Sequence, residues 1–163
     1  MNPYIFIDLD ETLIHTFEDW ENPTPDAIQI NIDTDTYNTS LRPGALEFLK
    51  QMRDTGDVFL LTIAYTQYAL KMNEVFNLGF QPSEIYAREN IQDEAISLPA
   101  RDRVFLFDNL PRRENRLKIE FLRAVSTKGN PFYIQAKEYR GHQDMAIDQD
   151  YADWICKAID QNE

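Results

Sequence analysis

The length, composition and charge of this chain limit what it can be. With 163 residues it is long enough to bury one core, and we predict that residues 1–163 form a single domain. Its 16 Lys and Arg against 28 Asp and Glu give a net charge of −12, so its average field repels nucleic-acid backbones and anionic membranes. One cysteine, Cys156, excludes an internal disulfide, and the amino terminus has no signal-peptide pattern. We therefore expect a cytoplasmic protein with no membrane association and no bulk nucleic-acid binding.

Strand-like and helix-like segments alternate along the chain. Runs that are apolar on successive residues, as in strands covered on both faces of a parallel sheet, occupy residues 4–7, 58–61, 104–107 and 132–135. Apolar residues at helical spacing predict helices at about 43–55, 66–76, 113–125 and 149–159. This alternation predicts an α/β fold with a doubly wound parallel sheet.

Two segments interrupt the alternation. Residues 28–41 alternate apolar and polar side chains and then turn through Asp33 to Thr36, which predicts a small β-hairpin between the first strand and its helix. Residues 88–102 are polar and contain Pro99, which predicts a loop.

Polar residues follow three of the predicted strands at the point where each strand ends. Asp8 and Asp10 follow the first strand, Thr62 the second, and Asp108 and Asn109 the third. Any one of them alone is more often a cap or a turn former, but ligands of open α/β sheets bind outside the carboxyl ends of the strands. Carboxylate and amide oxygens together suit a hard cation such as Mg²⁺, which would offset the repulsion between the carboxylates. Their joint occurrence therefore favours a catalytic metal site.

These residues carry a resemblance to a known family. The chain resembles the haloacid dehalogenase superfamily of phosphotransferases in D-L-D-E-T-L at 8–13, in Thr62 within L-L-T-I-A, and in F-D-N-L-P at 107–111. Within that superfamily it is similar to the small C-terminal-domain phosphatases that act on RNA polymerase II, in D-L-D-E-T-L-I-H-T, L-R-P-G-A-L-E-F-L at 41–49, and T-x-x-x-x-x-Y-A at 62–69. The hairpin at 28–41 lies where those relatives carry a small β insertion in place of a large cap domain. The resemblance covers residues 4–111.

The resemblance implies a role for each of these residues. Asp8 would attack the phosphorus and form an aspartyl phosphate, while Asp10 would protonate the leaving oxygen and then activate water. Thr62 would donate its hydroxyl to the phosphate. The metal, Mg²⁺, would be held by Asp8, the backbone carbonyl of Asp10 and Asn109, with Asp108 bound to it directly or through a neighbour.

One residue that the resemblance requires is missing from its expected place. The family supplies a Lys that neutralises the phosphoryl group, but this chain has no Lys between Lys71 and Lys118, and Gln92 occupies the aligned position. An Arg could bind the phosphate from another backbone position. Arg88, in Y-A-R-E-N, resembles a substrate-contacting Arg of the small phosphatases and is the first candidate, and Arg101 is the second.

A second departure follows Pro111. Residues 112–125 contain five basic side chains and have the pattern of a helix. They could steer a phosphorylated partner towards the site. Alternatively, these basic side chains form the solvent-exposed face of a helix that packs through Leu117, Phe121, Leu122 and Val125.

Three functional hypotheses follow. The leading one is a Mg²⁺-dependent phosphatase with an aspartyl-phosphate intermediate at Asp8, acting on a phosphoprotein. The second is the same chemistry on nucleotides, nucleic-acid ends or other small phosphomonoesters, because the fold and the catalytic residues do not identify the leaving group. The third is a catalytically weak binding or regulatory protein on this scaffold, because the expected Lys is absent.

Overall fold

The structure is a computed structural model that describes residues 1–148 and, beyond them, Asp153, Ile155 and Lys157. Ile155 is buried in the core. The remaining residues of the predicted final helix at 149–159, and Cys156, lie outside the described residues.

The described chain forms eight strands in two sheets. In chain order the strands are β1 (Tyr4–Ile7), β2 (Ile14–Phe17), β3 (Ile28–Ile32), β4 (Asp35–Leu41), β5 (Asp57–Leu61), β6 (Ile85–Tyr86), β7 (Val104–Asp108) and β8 (Phe132–Gln135). The central sheet has five parallel strands in the order β6-β5-β1-β7-β8. The chain leaves β1 towards β5 and β6 on one side and returns to β7 on the other side. The fold therefore has a topological switch point at β1, where ligands of such sheets bind.

The central sheet is covered on both faces, which explains its continuous apolar strands. Alternate residues of β1 point to opposite faces. Ile5 and Ile7 pack in a cluster with residues of helices α1 (Ala45–Thr55) and α2 (Thr66–Val75), whereas Tyr4 and Phe6 pack in a cluster with residues of α4 (Arg116–Leu122). The short helix α3 (Arg88–Gln92) contributes to the second cluster through Ile91. The predicted doubly wound α/β fold is confirmed.

The predicted hairpin belongs to a second, antiparallel sheet. Strands β3 and β4 pair across a two-residue turn at Asp33 and Thr34, with Ile32 opposite Asp35. Strand β2, which the pattern does not predict, pairs with β4 and completes the sheet in the order β2-β4-β3. Because β2 starts only a few residues after Asp10, this sheet is anchored beside the carboxyl end of β1.

The helices agree with prediction except at two places. Helices α1 and α2 end one residue before Gly56 and four before Gly79, respectively. The segment predicted as a loop at 88–102 begins instead with α3, and the helix predicted over 113–125 is α4 flanked by turns of 3₁₀ helix at Arg112–Glu114 and Arg123–Val125. No helix in the described part of the chain has the length and apolar character needed to span a membrane. The cytoplasmic location stays a prediction.

Candidate active site

The polar residues at the strand ends come together in one cavity. Strand β1 lies between β5 and β7, so Asp8 and Asp10 lie between Thr62 on one side and Asp108 and Asn109 on the other. All five line a cavity of about 670 Å³. Its outer wall includes residues of the antiparallel sheet and of the segment that leads into α4, among them Thr16, Thr36, Tyr37, Glu114 and Leu117. The sequence prediction that these five residues share a site agrees with this placement.

Asp8 is a buried carboxylate at the floor of the cavity, with an exposed fraction of 6%. Its backbone N–H donates to the carbonyl of Phe107 at 2.9 Å, which joins the end of β1 to β7. Thr12 Oγ1 donates to Asp8 Oδ2 at 2.9 Å, and Lys118 Nζ donates to Asp8 Oδ1 at 2.7 Å. The carboxylate is therefore held in one orientation by donors on both oxygens.

Lys118 supplies the positive charge that the sequence lacks at its expected place. Its side chain is buried, and its Nζ lies 2.7 Å from both Asp8 Oδ1 and Asp108 Oδ2. Helix α4 presents it to the site because Ile119, Phe121 and Leu122 pack against the sheet beside it. Leu117, which the apolar pattern assigns to the packed face, is 64% exposed instead.

The cluster of Asp8, Asp108 and Lys118 has more negative than positive charge. Burial raises the pKa of Asp8 to about 7, against the lowering effect of Lys118 and with a further rise from Asp108. Burial lowers the pKa of Lys118, but the two carboxylates outweigh it, so the pKa of the ammonium is raised and Lys118 stays charged. One ammonium faces two carboxylates, and a further cation would be stabilised here.

The side-chain oxygen of Asn109 faces two other oxygen atoms that can only accept hydrogen bonds, and this arrangement fits a metal ion. The side-chain oxygen of Asn109 lies 2.8 Å from Asp8 Oδ2 and 3.2 Å from the backbone oxygen of Asp10, where a rotated amide would place its nitrogen as a donor. In the described residues no three His, Cys, Asp or Glu side chains are grouped as metal ligands. The set is instead a carboxylate, a carbonyl and an amide oxygen, which suits Mg²⁺ because that ion commonly takes one or two carboxylates and completes its shell with water.

Asp108 supports the cluster from below. Its Oδ2 accepts from Lys118, and its Oδ1 accepts from the backbone N–H of Leu110 at 3.0 Å. With a bond to each oxygen, Asp108 is placed to hold Lys118 and the turn that carries Asn109. Its predicted role as a metal ligand stays a prediction.

Asp10 is held by a tyrosine from α2. Tyr68 Oη donates to Asp10 Oδ1 at 2.7 Å and lies 2.7 Å from Thr16 Oγ1 in β2. Burial raises the pKa of Asp10, with the Tyr68 hydrogen bond acting in the opposite direction. A half-buried carboxyl with a raised pKa is suited to give and take a proton.

Thr62 lies at the end of β5 and lines the cavity. It is buried, and its Oγ1 accepts from the backbone N–H of Ala64 at 3.1 Å, as a turn-forming residue does. Because that bond uses only a lone pair, the hydroxyl proton of Thr62 is available to a bound phosphate. The structural and the predicted catalytic roles are compatible.

The two arginines proposed to replace the missing Lys do not reach Asp8. The prediction for Arg101 is wrong: it bonds Asp57 Oδ2 at 2.6 Å and the carbonyl of Asn2, at the opposite, amino-terminal edge of the sheet. Arg88 lies on the correct edge, but its Nε donates to the carbonyl of Ile63 at 2.7 Å and its guanidinium stacks on Tyr65. Arg88 lies outside the residues that line the cavity, and its predicted contact with substrate stays a prediction.

Glu11 has a structural partner. Its Oε2 lies 3.0 Å from Nδ1 of the buried His15, whose Nε2 lies 3.0 Å from Glu21 Oε2. These contacts fasten the loop after Asp10 to β2 and to the chain that follows it.

Comparisons with known proteins identify a family and two relatives with partial coverage. A family model described as NLI interacting factor-like phosphatase matches residues 3–113. Over 78 residues the chain is 32% identical to an RNA polymerase II C-terminal domain phosphatase of Caenorhabditis elegans, covering 45% of this chain and 12% of the relative. Over 67 residues it is 34% identical to an uncharacterised protein of Schizosaccharomyces pombe, covering 40% of this chain and 21% of the relative. The chain thus matches a small part of these curated relatives.

Two solved structures share the fold. A structure of Fcp1, an essential RNA polymerase II CTD phosphatase, superposes with a TM-score of 0.58 at 15% identity, covering 99% of this chain and 50% of that one. A fission yeast Fcp1 variant bound to beryllium fluoride superposes with a TM-score of 0.56 at 14% identity, covering 99% and 52%. The match of the family model to more than half of the chain confirms the resemblance found in the sequence motifs. This chain belongs to the NLI interacting factor-like phosphatase family, within the haloacid dehalogenase-like fold.

Proposed function

We propose that this protein is a Mg²⁺-dependent phosphomonoester hydrolase that acts through an aspartyl phosphate at Asp8, on a phosphorylated protein. The observation that carries the proposal is the buried carboxylate of Asp8, fixed between Lys118 and Thr12 at the floor of an accessible cavity. Fixed charges aimed at a reacting phosphoryl group are the main means by which such enzymes lower the barrier. The phosphoprotein is suggested by the C. elegans relative, whose name states a phosphatase of the RNA polymerase II C-terminal domain.

The reaction proceeds in two steps that use this chain's own residues. In the first, an oxygen of Asp8 bonds to phosphorus while the bond to the leaving oxygen breaks, and the protonated carboxyl of Asp10 gives its proton to that oxygen. In the second, Asp10 takes a proton from a water molecule that attacks the phosphorus, and the bond to Asp8 breaks. Inorganic phosphate and the free hydroxyl product result, and both carboxyls return to their starting states.

The other residues position and neutralise the phosphoryl group. Lys118 offsets the charge of Asp8 and of the incoming phosphate, and Thr62 donates its hydroxyl to a phosphate oxygen. Asp8, the carbonyl of Asp10 and Asn109 would hold Mg²⁺, which supplies positive charge to the phosphate oxygens when bound. Lys118 also removes the reason for the third hypothesis, a weak binding protein, because the positive charge absent at position 92 is supplied by α4.

Phosphate release measured with a generic aryl phosphate and with panels of phosphopeptides and nucleotides, in Mg²⁺ or in EDTA, tests the proposal. We expect release that requires the divalent ion. Release that continues in EDTA contradicts the metal dependence, and binding of phosphate without any turnover favours the regulatory alternative. Faster turnover of nucleotides than of phosphopeptides would favour the small-phosphomonoester alternative.

Tyr68→Phe tests the assignment of Asp10 as the acid and base. Loss of the hydroxyl removes the bond that orients Asp10 Oδ1, so we expect kcat to fall by about tenfold to a hundredfold while KM changes little, since a hydrogen bond to a charged group contributes roughly 1.5–3 kcal/mol. Tyr86→Phe is the matched control, because Tyr86 is buried in the cluster on the other face of the sheet and lies outside the cavity. A rise in KM at constant kcat would show that Tyr68 contacts substrate instead of orienting Asp10.

A further inference from the structure

A second depression adjoins the candidate active site. A neighbouring cavity of about 540 Å³ is lined by the last residue of β8, Gln135, and by residues that follow β7 and β8, including Pro111, Lys137 and Glu138. It shares Asn109, Leu110 and Glu114 with the cavity that contains Asp8. The two cavities are therefore neighbours along the carboxyl edge of the sheet, and we refer to them together as the groove, with Asp8 in its first lobe and residues of and after β8 in its second.

A groove with two lobes suits an extended substrate. The first lobe alone has the volume of a small-molecule pocket. A phosphate bound at Asp8 would lie next to Asn109, which borders both lobes, so a chain attached to it could continue into the second lobe. A small phosphomonoester would leave the second lobe without a ligand.

The mouth of this groove is negatively charged. Glu18 and Asp19 on the first lobe and Glu114 between the lobes are exposed, and their side chains have no hydrogen bond or ion pair with any residue that the structure describes. Two exposed cations also line the groove: Arg116, which is in an ion pair with Glu120, Nε to Oε1, at 2.8 Å, and Lys137, which lies in the second lobe beside Glu138. Three unpaired carboxylates thus surround the entrance of a site that must accept an anionic phosphate.

The negative charge at the mouth of the groove favours some classes of substrate over others. The backbone of a nucleic acid would bring further phosphates against Glu18, Asp19 and Glu114, and their repulsion adds to that of the net charge of −12. A peptide that carries one phosphate and has Lys or Arg near it would instead place opposite charges against the same side chains.

We infer that the groove selects phosphopeptides with basic residues flanking the phosphorylated residue, and that Glu18, Asp19 and Glu114 determine this specificity. The inference rests on the proposed phosphatase function and adds the charge of the sequence around the phosphorylated residue. The three carboxylates lie on the rim, where they act on encounter and orientation of the substrate. They leave the chemistry at Asp8 unchanged.

Matched phosphoserine peptides that differ only in Lys, Gln or Glu on both sides of the phosphoserine test the inference, together with an aryl phosphate and a 5′-phosphorylated oligonucleotide. For the wild type we expect kcat/KM to be about tenfold higher for the Lys peptide than for the Glu peptide, since a few exposed ion pairs each contribute a small factor. We expect this ratio to fall as salt is added, because exposed charges are screened.

The variant Glu18→Gln/Asp19→Asn/Glu114→Gln should bring the Lys-to-Glu ratio close to one, and it should still turn over the aryl phosphate. The matched control, Glu47→Gln/Asp54→Asn/Asp93→Asn, removes three exposed carboxylates outside the groove and alters the net charge equally, and it should keep the ratio. Equal loss of the ratio in both variants would assign the effect to net charge and overturn the inference.

The outcomes also separate this inference from the function on which it rests. Turnover of the aryl phosphate that depends on Asp8, with no discrimination among the peptides or with the oligonucleotide as the best substrate, overturns the substrate class and leaves the phosphatase. Absence of turnover on every substrate overturns both.

Discussion

Lys118→Met is expected to lower kcat/KM by about a hundredfold to a thousandfold, the loss typical of removing one preorganised electrostatic contact to a transition state. The ammonium of Lys118 lies 2.7 Å from Asp8 Oδ1, so its removal leaves the nucleophile and the phosphate as neighbouring anions. Steady-state kinetics with an aryl phosphate measures the effect. Lys118→Arg keeps the charge in a larger side chain, and we expect it to retain more activity than Lys118→Met.

The same substitution also removes the counter-charge of two buried carboxylates. Breaking a buried ion pair from one side typically costs about 3–5 kcal/mol, so we expect a lower free energy of unfolding. Circular dichroism and denaturant unfolding must show that the variant is folded where its activity is measured. Arg101→Met is the control, since Arg101 also pairs with a carboxylate but at the far edge of the sheet. Wild-type kcat/KM in a folded Lys118→Met variant would remove Lys118 from the mechanism.

The fold could be predicted from sequence because the apolar pattern reports burial directly. Strands β1, β5 and β7 are apolar on successive residues, and the two clusters they join lie on opposite faces of the sheet. The two missed strands carry no such pattern. Strand β6 has only two residues, Ile85 and Tyr86, and β2 contains His15 and Thr16, whose polar groups are satisfied by side chains elsewhere in the fold.

Part of the site could be predicted because the strands that carry it could be predicted. Asp8, Thr62 and Asp108 lie at strand ends, and parallel strands bring their carboxyl ends together whatever the loops do. The family match ends at residue 113, five residues before Lys118, so the motif resemblance offers no position for this lysine.

The signal that could have identified Lys118 is its setting within α4. It stands directly before Ile119 and three residues before Phe121, on a helix that follows the metal-site motif, and a lysine on the packed face of a helix needs a buried anion. The apolar pattern assigns Leu117 to that face instead. The two assignments of the packed face, to Leu117 or to Lys118, differ by one residue, and the pattern of a seven-residue helix does not distinguish them. The positive charge of Lys118 therefore reaches the site from α4. Gln92, which occupies the position aligned with the expected Lys, lies on the neighbouring helix α3, and α3 packs in the same cluster through Ile91.

Asp8→Asn is expected to abolish turnover and the covalent phosphoenzyme, because the amide cannot act as the nucleophile that the mechanism requires. Phosphate release and trapping of labelled enzyme after an acid quench measure the two effects. Asp54→Asn, the same change at an exposed position on α1, is the control. Turnover that survives Asp8→Asn would contradict the mechanism at its first step, whatever the substrate.

The stability of the same variant distinguishes a functional carboxylate from a structural one. Burial raises the pKa of Asp8 from 3.8 to about 7, so between these values the folded protein binds a proton that the unfolded chain has lost. This carboxyl therefore lowers the free energy of unfolding as pH rises through that window. In EDTA we expect Asp8→Asn to be more stable than the wild type above pH 7, and the difference to shrink towards pH 4. A variant that is less stable than the wild type above pH 7 would mean that Lys118 stabilises the charged carboxylate more than burial disfavours it, and that Asp8 contributes to the fold as well as to catalysis.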